Sequence, residues 1–446
     1  MENVATDRTP GMKAVVPYFV GGAASLLIAM LLLLLKAADI GAVHYFSPQI
    51  LSITHIVALG WATMVIMGSL HQFVPVVFNV KLFSENLSVA AFVLLVCGLA
   101  LMAFAFWQFS FGWMMIVGSA FSFASLLVFA ANIFLSLRHF KKLSQEAICT
   151  LASLVWLIIT GAVGFLLALN LHSNFIPGDH LTFLKMHAHF GALGWLLLLV
   201  IGVGTKLMPM FSLSHIEKDR MLKLVLALIN FGLIALAVAM FLKTSPVIIF
   251  ACAMILATGI LRYIYFIFKT YRARIREKLD AGMQHSYSGF VLLIFPILIG
   301  LALSFLKDNE LNFRLSAAYA FSYFFGLITV LILGQTYKML PFIVWLGKYR
   351  SKIGRERTCL PRDLFDEHLA HWEWRVYVAG FLLFLTGIFF DFPFLKISGA
   401  SALFAAAVMY NYNVISIVFL KPAFPPVKKE VAKPFELALP VVQEKK

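Results

Sequence analysis

The stretch His-Ile-Val-Ala-Leu-Gly-Trp at residues 55–61 returns 134 residues later as His-Phe-Gly-Ala-Leu-Gly-Trp at residues 189–195. Both copies belong to a longer pattern of four residues. It consists of a Gly, a second Gly eight residues later, a Lys or Gln four residues after the second Gly, and a Pro three residues after the Lys or Gln. The pattern occurs a third time after another 132 residues, and its members are Gly60, Gly68, Gln72 and Pro75; Gly194, Gly202, Lys206 and Pro209; and Gly326, Gly334, Lys338 and Pro341. Small residues let helices approach closely in lipid, so the recurrence predicts three related, duplicated units.

The chain around these copies has the composition of a membrane protein. Of its 446 residues, 61% are hydrophobic and 13% are charged, whereas a soluble domain carries about 25% charge. The mean hydropathy is +0.91. A bilayer crossing needs roughly 20 apolar residues, and twelve such spans lie near 14–36, 49–78, 87–107, 111–137, 147–171, 183–211, 221–242, 246–268, 286–306, 314–346, 376–392 and 396–420. Lipid offers backbone amides no partner outside the segment, so the spans are predicted to be helices.

The predicted fold class is therefore all-α integral membrane, with twelve transmembrane helices in three related four-helix units about a pseudo-threefold axis. Residues 1–420 form one membrane domain, with repeat units at about 1–142, 143–278 and 279–420. Residues 421–446 are a polar cytoplasmic tail. The stretch from Asp363 to Trp374 has the composition of a helix lying at the membrane interface.

Lysine and arginine are distributed unevenly between the two sides of this domain. Loops after even-numbered spans carry 18 of them, and loops after odd-numbered spans carry six. The positive-inside rule therefore predicts an inner (cytoplasmic) membrane location with both termini in the cytoplasm. The net charge of +15 belongs to loops between apolar spans, which argues against nucleic acid as a partner. The four cysteines show no spacing typical of a disulfide framework or a thiolate metal site.

Histidine is the candidate chemistry within the spans, because no Asp or Glu lies in the middle of any predicted span. Seven of the twelve histidines fall in loops or at the interface: His44, His139, His172, His180, His215, His368 and His371. The other five are His55, His71, His187, His189 and His285. A neutral imidazole is a ligand for haem iron or copper, and it can equally donate to a backbone carbonyl of a neighbouring helix. Both interpretations are open at this point.

Helical spacing restricts how these five side chains can combine. His55 and His189 hold the same repeat position near the outer face. His187 precedes His189 by two residues, about 200° round an ideal helix, so the two cannot both reach one metal. His71 lies about 24 Å along the axis from His55, near the inner side. His285 begins span 9, also near the inner side.

Twelve spans in three related arcs, with His near the outer end of spans 2 and 6, resemble subunit I of the haem–copper oxidases, the cytochrome c oxidase family. The motif that runs from His55 through Gly60, Trp61 and His71 to Pro75 is similar to span 2 of short members of that superfamily and of the NnrS-type haem and copper membrane proteins. The resemblance implies that His55 is an axial haem ligand.

The same resemblance implies a copper ligand in span 6. It makes His55 and His189 the candidate haem ligands, and His187, His189, His71 and His285 the candidate metal ligands. Haem is the implied cofactor, with copper as a second. The implied partners are membrane lipid, other respiratory subunits and a cytochrome c-like electron donor.

The chain departs from the family pattern in later spans. The family carries a vicinal His pair in span 7, whereas 221–242 contains no His. It carries His-x-His in span 10, whereas 314–346 contains none and Phe321 stands at the repeat position. The Tyr of span 6 that cross-links to a copper ligand has no counterpart. The family's oxygen-reducing centre therefore cannot be assembled here in the family's way.

Three functions follow as hypotheses. The first is a haem- or copper-binding redox protein, in respiratory electron transfer or in handling NO or O2, with a single cofactor bound through His55, His187 and His189. The second is a non-catalytic scaffold subunit of an oxidase-like complex. The third is a small-solute transporter, against which stand the threefold repeat and the missing carboxylates. The sequence leaves open whether the chain is an enzyme.

Overall fold

The computed structural model describes residues 8–138, 144–216, 219–306, 310–353, 355–356 and 358–420. Within these ranges the chain is helical and contains no strand. The predicted tail at 421–446 lies outside the described residues. Among the described residues, twelve helices are long and apolar enough to cross a membrane, which confirms the predicted fold class of a multi-pass helical protein.

The twelve membrane helices follow one another through short connections, and we number them α1 to α12. They are α1 Met12–Leu35, α2 Pro48–Val77, α3 Glu85–Trp107, α4 Trp113–Leu137, α5 Gln145–Ser173, α6 His180–Ser212, α7 Met221–Phe241, α8 Pro246–Arg272, α9 Ala281–Leu303, α10 Glu310–Lys348, α11 Glu367–Phe389 and α12 Pro393–Phe419. We call the side that carries the loops after even-numbered helices the basic side, and the other the opposite side.

The larger part of the stretch predicted to lie at the interface, from Glu367 to Trp374, belongs to the membrane helix α11. Asp366 caps α11 by accepting a hydrogen bond from the Leu369 amide, and the helix runs without a break to Phe389. Its first two turns carry Glu373, which is completely buried. The interfacial prediction fails for these turns because the carboxyl group of Glu373 is sheltered by protein, while Glu367 at the start of the helix is exposed.

The central helices of the three units share a local distortion at the repeat position. The segments Ile56–Thr63 in α2, Phe190–Leu197 in α6 and Ser322–Ile328 in α10 are π-helical. They begin directly after His55, His189 and Phe321, which hold equivalent positions in the repeat. A π-helical turn widens the helix and releases carbonyl groups from the regular ladder, and such turns are frequent at functional sites.

Hydrogen bonds between these π-helical segments close a ring about the pseudo-threefold axis. Trp195 of α6 donates from Nε1 to the Thr63 hydroxyl of α2 at 3.0 Å. Trp61 of α2 donates to the Thr329 hydroxyl, next to the π-helical turn of α10, at 3.1 Å. Tyr323 of α10 donates its hydroxyl proton to the Ala192 carbonyl within the π-helical turn of α6. Each central helix is thereby tied to the other two.

Small residues bring together the outer helices of the first and third units. A Cβ added at Gly118 of α4 would lie 2.9 Å from the Gly98 carbonyl oxygen of α3. A Cβ added at Gly399 of α12 would lie 2.8 Å from the Gly380 carbonyl oxygen of α11. No side chain fits between such backbones, which is the small-residue packing expected of helices in lipid.

Two lysines of the spans are held by protein. Lys338, a member of the repeat, pairs with Asp280, which precedes α9. Burial alone would raise the pKa of the Asp280 carboxyl, but its bonds to Lys338 hold the pKa below its ordinary value. Lys396 at the opposite side is fully buried and donates to the Ala38 carbonyl at 2.6 Å and to Asp391 at 2.8 Å. It thereby joins the loop after α1 to the turn before α12.

We expect the hydrogen bond between Trp195 and Thr63 to appear as a coupling energy of about 0.5–1.5 kcal/mol in a double-mutant cycle. The cycle combines Trp195→Phe with Thr63→Val and measures the free energy of unfolding in mixed micelles. The matched control pairs Thr63→Val with Trp113→Phe, because Trp113 is 64% exposed at the start of α4. The control cycle should be additive, and additivity in both cycles would rule out a stabilising role for the ring.

Candidate functional site

His55 and His187 come together at the opposite side of the first two units. His55 lies just before the π-helical turn of α2, where its ring stacks on Phe106 of α3 at a centroid distance of 4.6 Å. His187 lies in the second turn of α6 and reaches α5. Both rings are partly buried, and they are close enough for their charges to interact. Each of the first two units thus places one partly buried imidazole at the opposite side.

The hydrogen bonds of these rings determine which nitrogen is available. His55 Nδ1 lies 2.7 Å from the Leu51 carbonyl oxygen, and His187 Nδ1 lies 3.0 Å from the Thr160 carbonyl oxygen. A carbonyl only accepts, so each Nδ1 must carry the proton. In a neutral ring, Nε2 then holds a lone pair, and the hydrogen bonds of both rings among the described residues are made by Nδ1. Metal-binding histidines characteristically have this arrangement.

His189 faces a different neighbour. Its Nδ1 lies 2.7 Å from the Lys185 carbonyl oxygen, one turn back in the same helix. Its ring stacks against Tyr319 of α10 at a centroid distance of 6.1 Å. His187 and His189 therefore contact α5 and α10 respectively, although they are two residues apart.

Glycine makes room for His187 against α5. A Cβ added at Gly164 would lie 2.7 Å from the His187 Cε1 atom, a distance that forces one of the groups to move. One turn earlier, a Cβ at Gly161 would lie 2.8 Å from the Phe123 ring. The backbone of α5 is thus open where the His187 ring lies.

Aromatic side chains from the loops cover this end of the two units. Phe46, which precedes α2, lies 5.6 Å from the His180 ring and 6.2 Å from the Phe109 ring between centroids. His172 approaches the Phe111 carbonyl oxygen with Nδ1 at 3.0 Å. His172, in the last turn of α5, and His180, at the start of α6, therefore contact the loops at this end of the spans.

The third unit has no histidine at the equivalent place, and aromatic rings occupy it. Phe321 is buried and stacks on Phe381 of α11 at a centroid distance of 5.3 Å with nearly parallel rings. It also contacts Phe325 and Phe384, at 4.9 and 4.7 Å. The position that would continue the histidine repeat is thus filled by a packed aromatic cluster.

His71 lies apart from this pair, toward the basic side of the first unit. It is completely buried, its Nδ1 is 3.1 Å from the Ser88 hydroxyl, and its ring contacts Tyr18 and Phe129. Its Nε2 has no partner among the described residues. His71 and His285 contact different helices, and the described part of the chain contains no group of three or more His, Cys, Asp and Glu side chains placed to hold a metal ion.

His285 belongs to a buried polar cluster that sequence reasoning missed. Its Nε2 lies 3.4 Å from a carboxyl oxygen of Glu373, and Tyr337 donates to the other oxygen at 2.8 Å. His285 Nδ1 is 2.7 Å from the Ala281 carbonyl oxygen and so carries a proton. With Nδ1 protonated, a neutral ring can only accept at Nε2, and a carboxylate oxygen can also only accept. A hydrogen bond between the two groups therefore requires one more proton, on either Nε2 or the carboxyl group. The cluster holds a proton within the span of the helices.

The signal that could have found Glu373 was the loop after α10, which is long for a connection between two spans. Starting span 11 at an acidic N-cap such as Asp366 would have placed Glu373 within the helix. The hydropathy criterion began the span at residue 376 and so left the carboxylate outside the membrane.

The comparisons with known proteins bear on the fold. No protein-family model matches the chain, and no curated protein matches it. Among solved structures, a heme-copper terminal oxidase dimer determined by cryo-EM is similar, with a TM-score of 0.67 and 11% sequence identity. The likeness covers 95% of this chain and 86% of that chain. The predicted oxidase subunit I-like fold is thereby confirmed.

Glu373→Leu should lower the free energy of unfolding by about 2–4 kcal/mol, because it leaves His285 Nε2 and the Tyr337 hydroxyl buried without a partner. Glu373→Gln should be nearly neutral, since the amide can donate to His285 and accept from Tyr337. Glu367→Leu, at an exposed position in the same helix, is the matched control. Thermal and denaturant unfolding in detergent measure all three, and equal losses for Leu and Gln at residue 373 would contradict the assigned hydrogen bonds.

Proposed function

We propose that this chain is a membrane redox protein that transfers electrons through a haem held between His55 and His187. The observation that carries the proposal is the shared state of the two rings. In each, a backbone carbonyl binds Nδ1–H and leaves Nε2 as a lone-pair donor without a protein partner. The similarity of the fold to a heme-copper terminal oxidase supports the same class of cofactor.

The donor set favours haem over copper. Haem brings four nitrogen ligands of its own and needs one or two axial ligands from the protein. A copper ion depends on the protein for its ligands, and no third His, Cys, Asp or Glu joins the pair among the described residues. Two imidazoles therefore fit the needs of haem iron better than those of copper.

The residues of the site determine what a bound haem can do. The haem would supply a reversible one-electron iron couple. The Leu51 and Thr160 carbonyls fix the orientation of the two imidazoles and increase their basicity. Phe106 covers one face of His55 and excludes water. His55 and His187 would both hold the iron through Nε2, and a haem held by two imidazoles would serve electron transfer and not the binding of O2 or NO.

The proposal is tested by absorption spectra of the detergent-purified protein, oxidised and dithionite-reduced, with haem and metal analysis on the same sample. We expect a Soret band, sharp α and β bands on reduction, and about one haem per chain. His55→Ala and His187→Ala should each lose or strongly shift this spectrum. His368→Ala, at an exposed position outside the site, should leave it unchanged.

The other outcomes separate the competing hypotheses. Loss of the spectrum in His189→Ala but not in His187→Ala would indicate that His189, and not His187, is the second haem ligand. Binding of carbon monoxide to the reduced wild type would indicate an open axial position and favour NO or O2 handling. Copper without haem would replace the haem assignment. Well-folded protein with neither cofactor, expressed with haem and copper available, would favour the scaffold or transporter hypothesis.

A second prediction tests the position of His187 without removing a ligand. Gly164→Ala should reduce haem content severalfold, because the new methyl group displaces the His187 ring from α5. Gly112→Ala is the matched control, since a Cβ there meets no atom within 4 Å. Quantitation of haem per chain by the pyridine haemochrome method measures both variants, and equal haem content would place the ligand elsewhere.

A further inference from the structure

A row of three oxidisable aromatic rings crosses the interior from α2 to α10. Trp61 lies six residues after His55, about 9 Å farther along α2, and its ring is 5.4 Å from the Tyr410 ring of α12 between centroids. Tyr410 in turn lies 6.1 Å from the Tyr337 ring of α10. The three side chains are at most 5% exposed. Rings in such contact are close enough for an electron to pass from one to the next.

The three rings differ in the group that accepts their polar hydrogen. Trp61 and Tyr410 each donate to a threonine hydroxyl at 3.1 Å. Tyr337 donates to a carboxyl oxygen of Glu373 at 2.8 Å. A carboxylate is a far stronger base than a hydroxyl. Because a phenol that loses an electron becomes a strong acid, oxidation of a buried tyrosine needs a base beside it, and Tyr337 has one.

The hydrogen bonds around Tyr337 determine where its proton lies. The side-chain oxygen of Asn413 accepts from the Asp366 amide at 3.0 Å, which settles the orientation of the Asn413 amide group. Its nitrogen therefore faces Tyr337 and donates to the hydroxyl oxygen at 3.3 Å. The hydroxyl accepts on this side, so its own proton points to Glu373.

The pair formed by Glu373 and His285 can take up this proton. The two groups share one proton across their contact of 3.4 Å. If that proton is on His285, the Glu373 carboxylate takes the phenol proton directly. If it is on Glu373, it passes to His285 Nε2 while the phenol proton arrives at the other carboxyl oxygen. Both routes end with a neutral carboxylic acid beside an imidazolium.

We propose that Tyr337 is a redox-active tyrosine. A strong one-electron oxidant, of the class of a photogenerated ruthenium(III) complex, takes one electron from the ring and is reduced by that electron. The O–H bond breaks, the proton passes to Glu373, and a neutral tyrosyl radical remains. Return of one electron and of the proton restores the phenol. The row through Tyr410 and Trp61 gives the electron a path toward the part of α2 that carries His55.

The experiment attaches a ruthenium polypyridyl photo-oxidant to the full chain at Arg362→Cys, with Cys97→Ser removing the exposed native thiol. Arg362 is exposed and lies three residues before Phe365, whose ring stacks on Tyr337 at a centroid distance of 5.0 Å. Flash excitation with a soluble electron acceptor should produce a neutral tyrosyl radical, detected by EPR and transient absorption. The radical should form more slowly in D2O, because a proton moves with the electron.

Two variants identify the oxidised ring and its base. Tyr337→Phe should abolish the radical. Glu373→Gln keeps an oxygen that accepts from the Tyr337 hydroxyl, but the amide is not a base, so radical formation should slow by about 100-fold and lose its solvent isotope effect. The matched controls are Tyr412→Phe, at a position of α12 that is 55% exposed, and Glu367→Gln, at an exposed position of α11. Both controls should leave the radical unchanged.

Three outcomes would each overturn the proposal. They are a tyrosyl radical that persists in Tyr337→Phe, an equal rate of its formation in Glu373→Gln, and no tyrosyl radical in the labelled parent protein although the ruthenium(III) complex has formed. The protein is purified without added haem, and the oxidant is supplied by the label. The result therefore does not depend on whether His55 and His187 bind haem.

Discussion

The hydrogen-bonded ring between the π-helical turns of α2, α6 and α10 is the interaction on which the arrangement of the three units depends. Lipid tails are as apolar as leucine, so helices in a bilayer associate by close packing and by polar contacts between them. Trp61, Trp195 and Tyr323 supply one such contact for each pair of central helices. The Ala192 carbonyl lies within a π-helical turn, where the regular ladder is interrupted, and it accepts the third hydrogen bond.

The ring also determines where chemistry can lie. The residues directly before the three turns are His55, His189 and Phe321, so the duplicated scaffold presents an equivalent side chain in each unit. Two units retain imidazoles, and in the third unit Phe321 joins an aromatic cluster. The threefold architecture is therefore occupied asymmetrically. The histidines just before and within the spans at the opposite side, His55, His187 and His189, belong to the first two units. On the basic side, the third unit buries Glu373 with His285.

The histidines show which features of a site can be predicted from the spacing of residues in the sequence. Repeat equivalence singled out His55 and His189, and helical geometry separated His187 from His189. The repeat shows that two residues hold the same position along their helices. It does not show which side chains of other helices contact each ring. Thr160, which binds His187 Nδ1, is 27 residues away in α5, and no pattern in the sequence connects the two residues. The proposed pairing of His55 with His187 consequently rests on tertiary contacts and not on a sequence pattern.

The sequence by itself determined the class of protein, the number of helices and the threefold repeat, because lipid requires long apolar helices and duplication leaves matching residues at fixed offsets. It also predicted the orientation from its Lys and Arg. Only the tertiary structure decided that Glu373 is buried, that Tyr323 closes the ring and that the Gln335 carbonyl oxygen has no donor among the described residues. Each of these depends on contacts between helices distant in sequence, and a buried polar group is identified by its partners and not by its residue type.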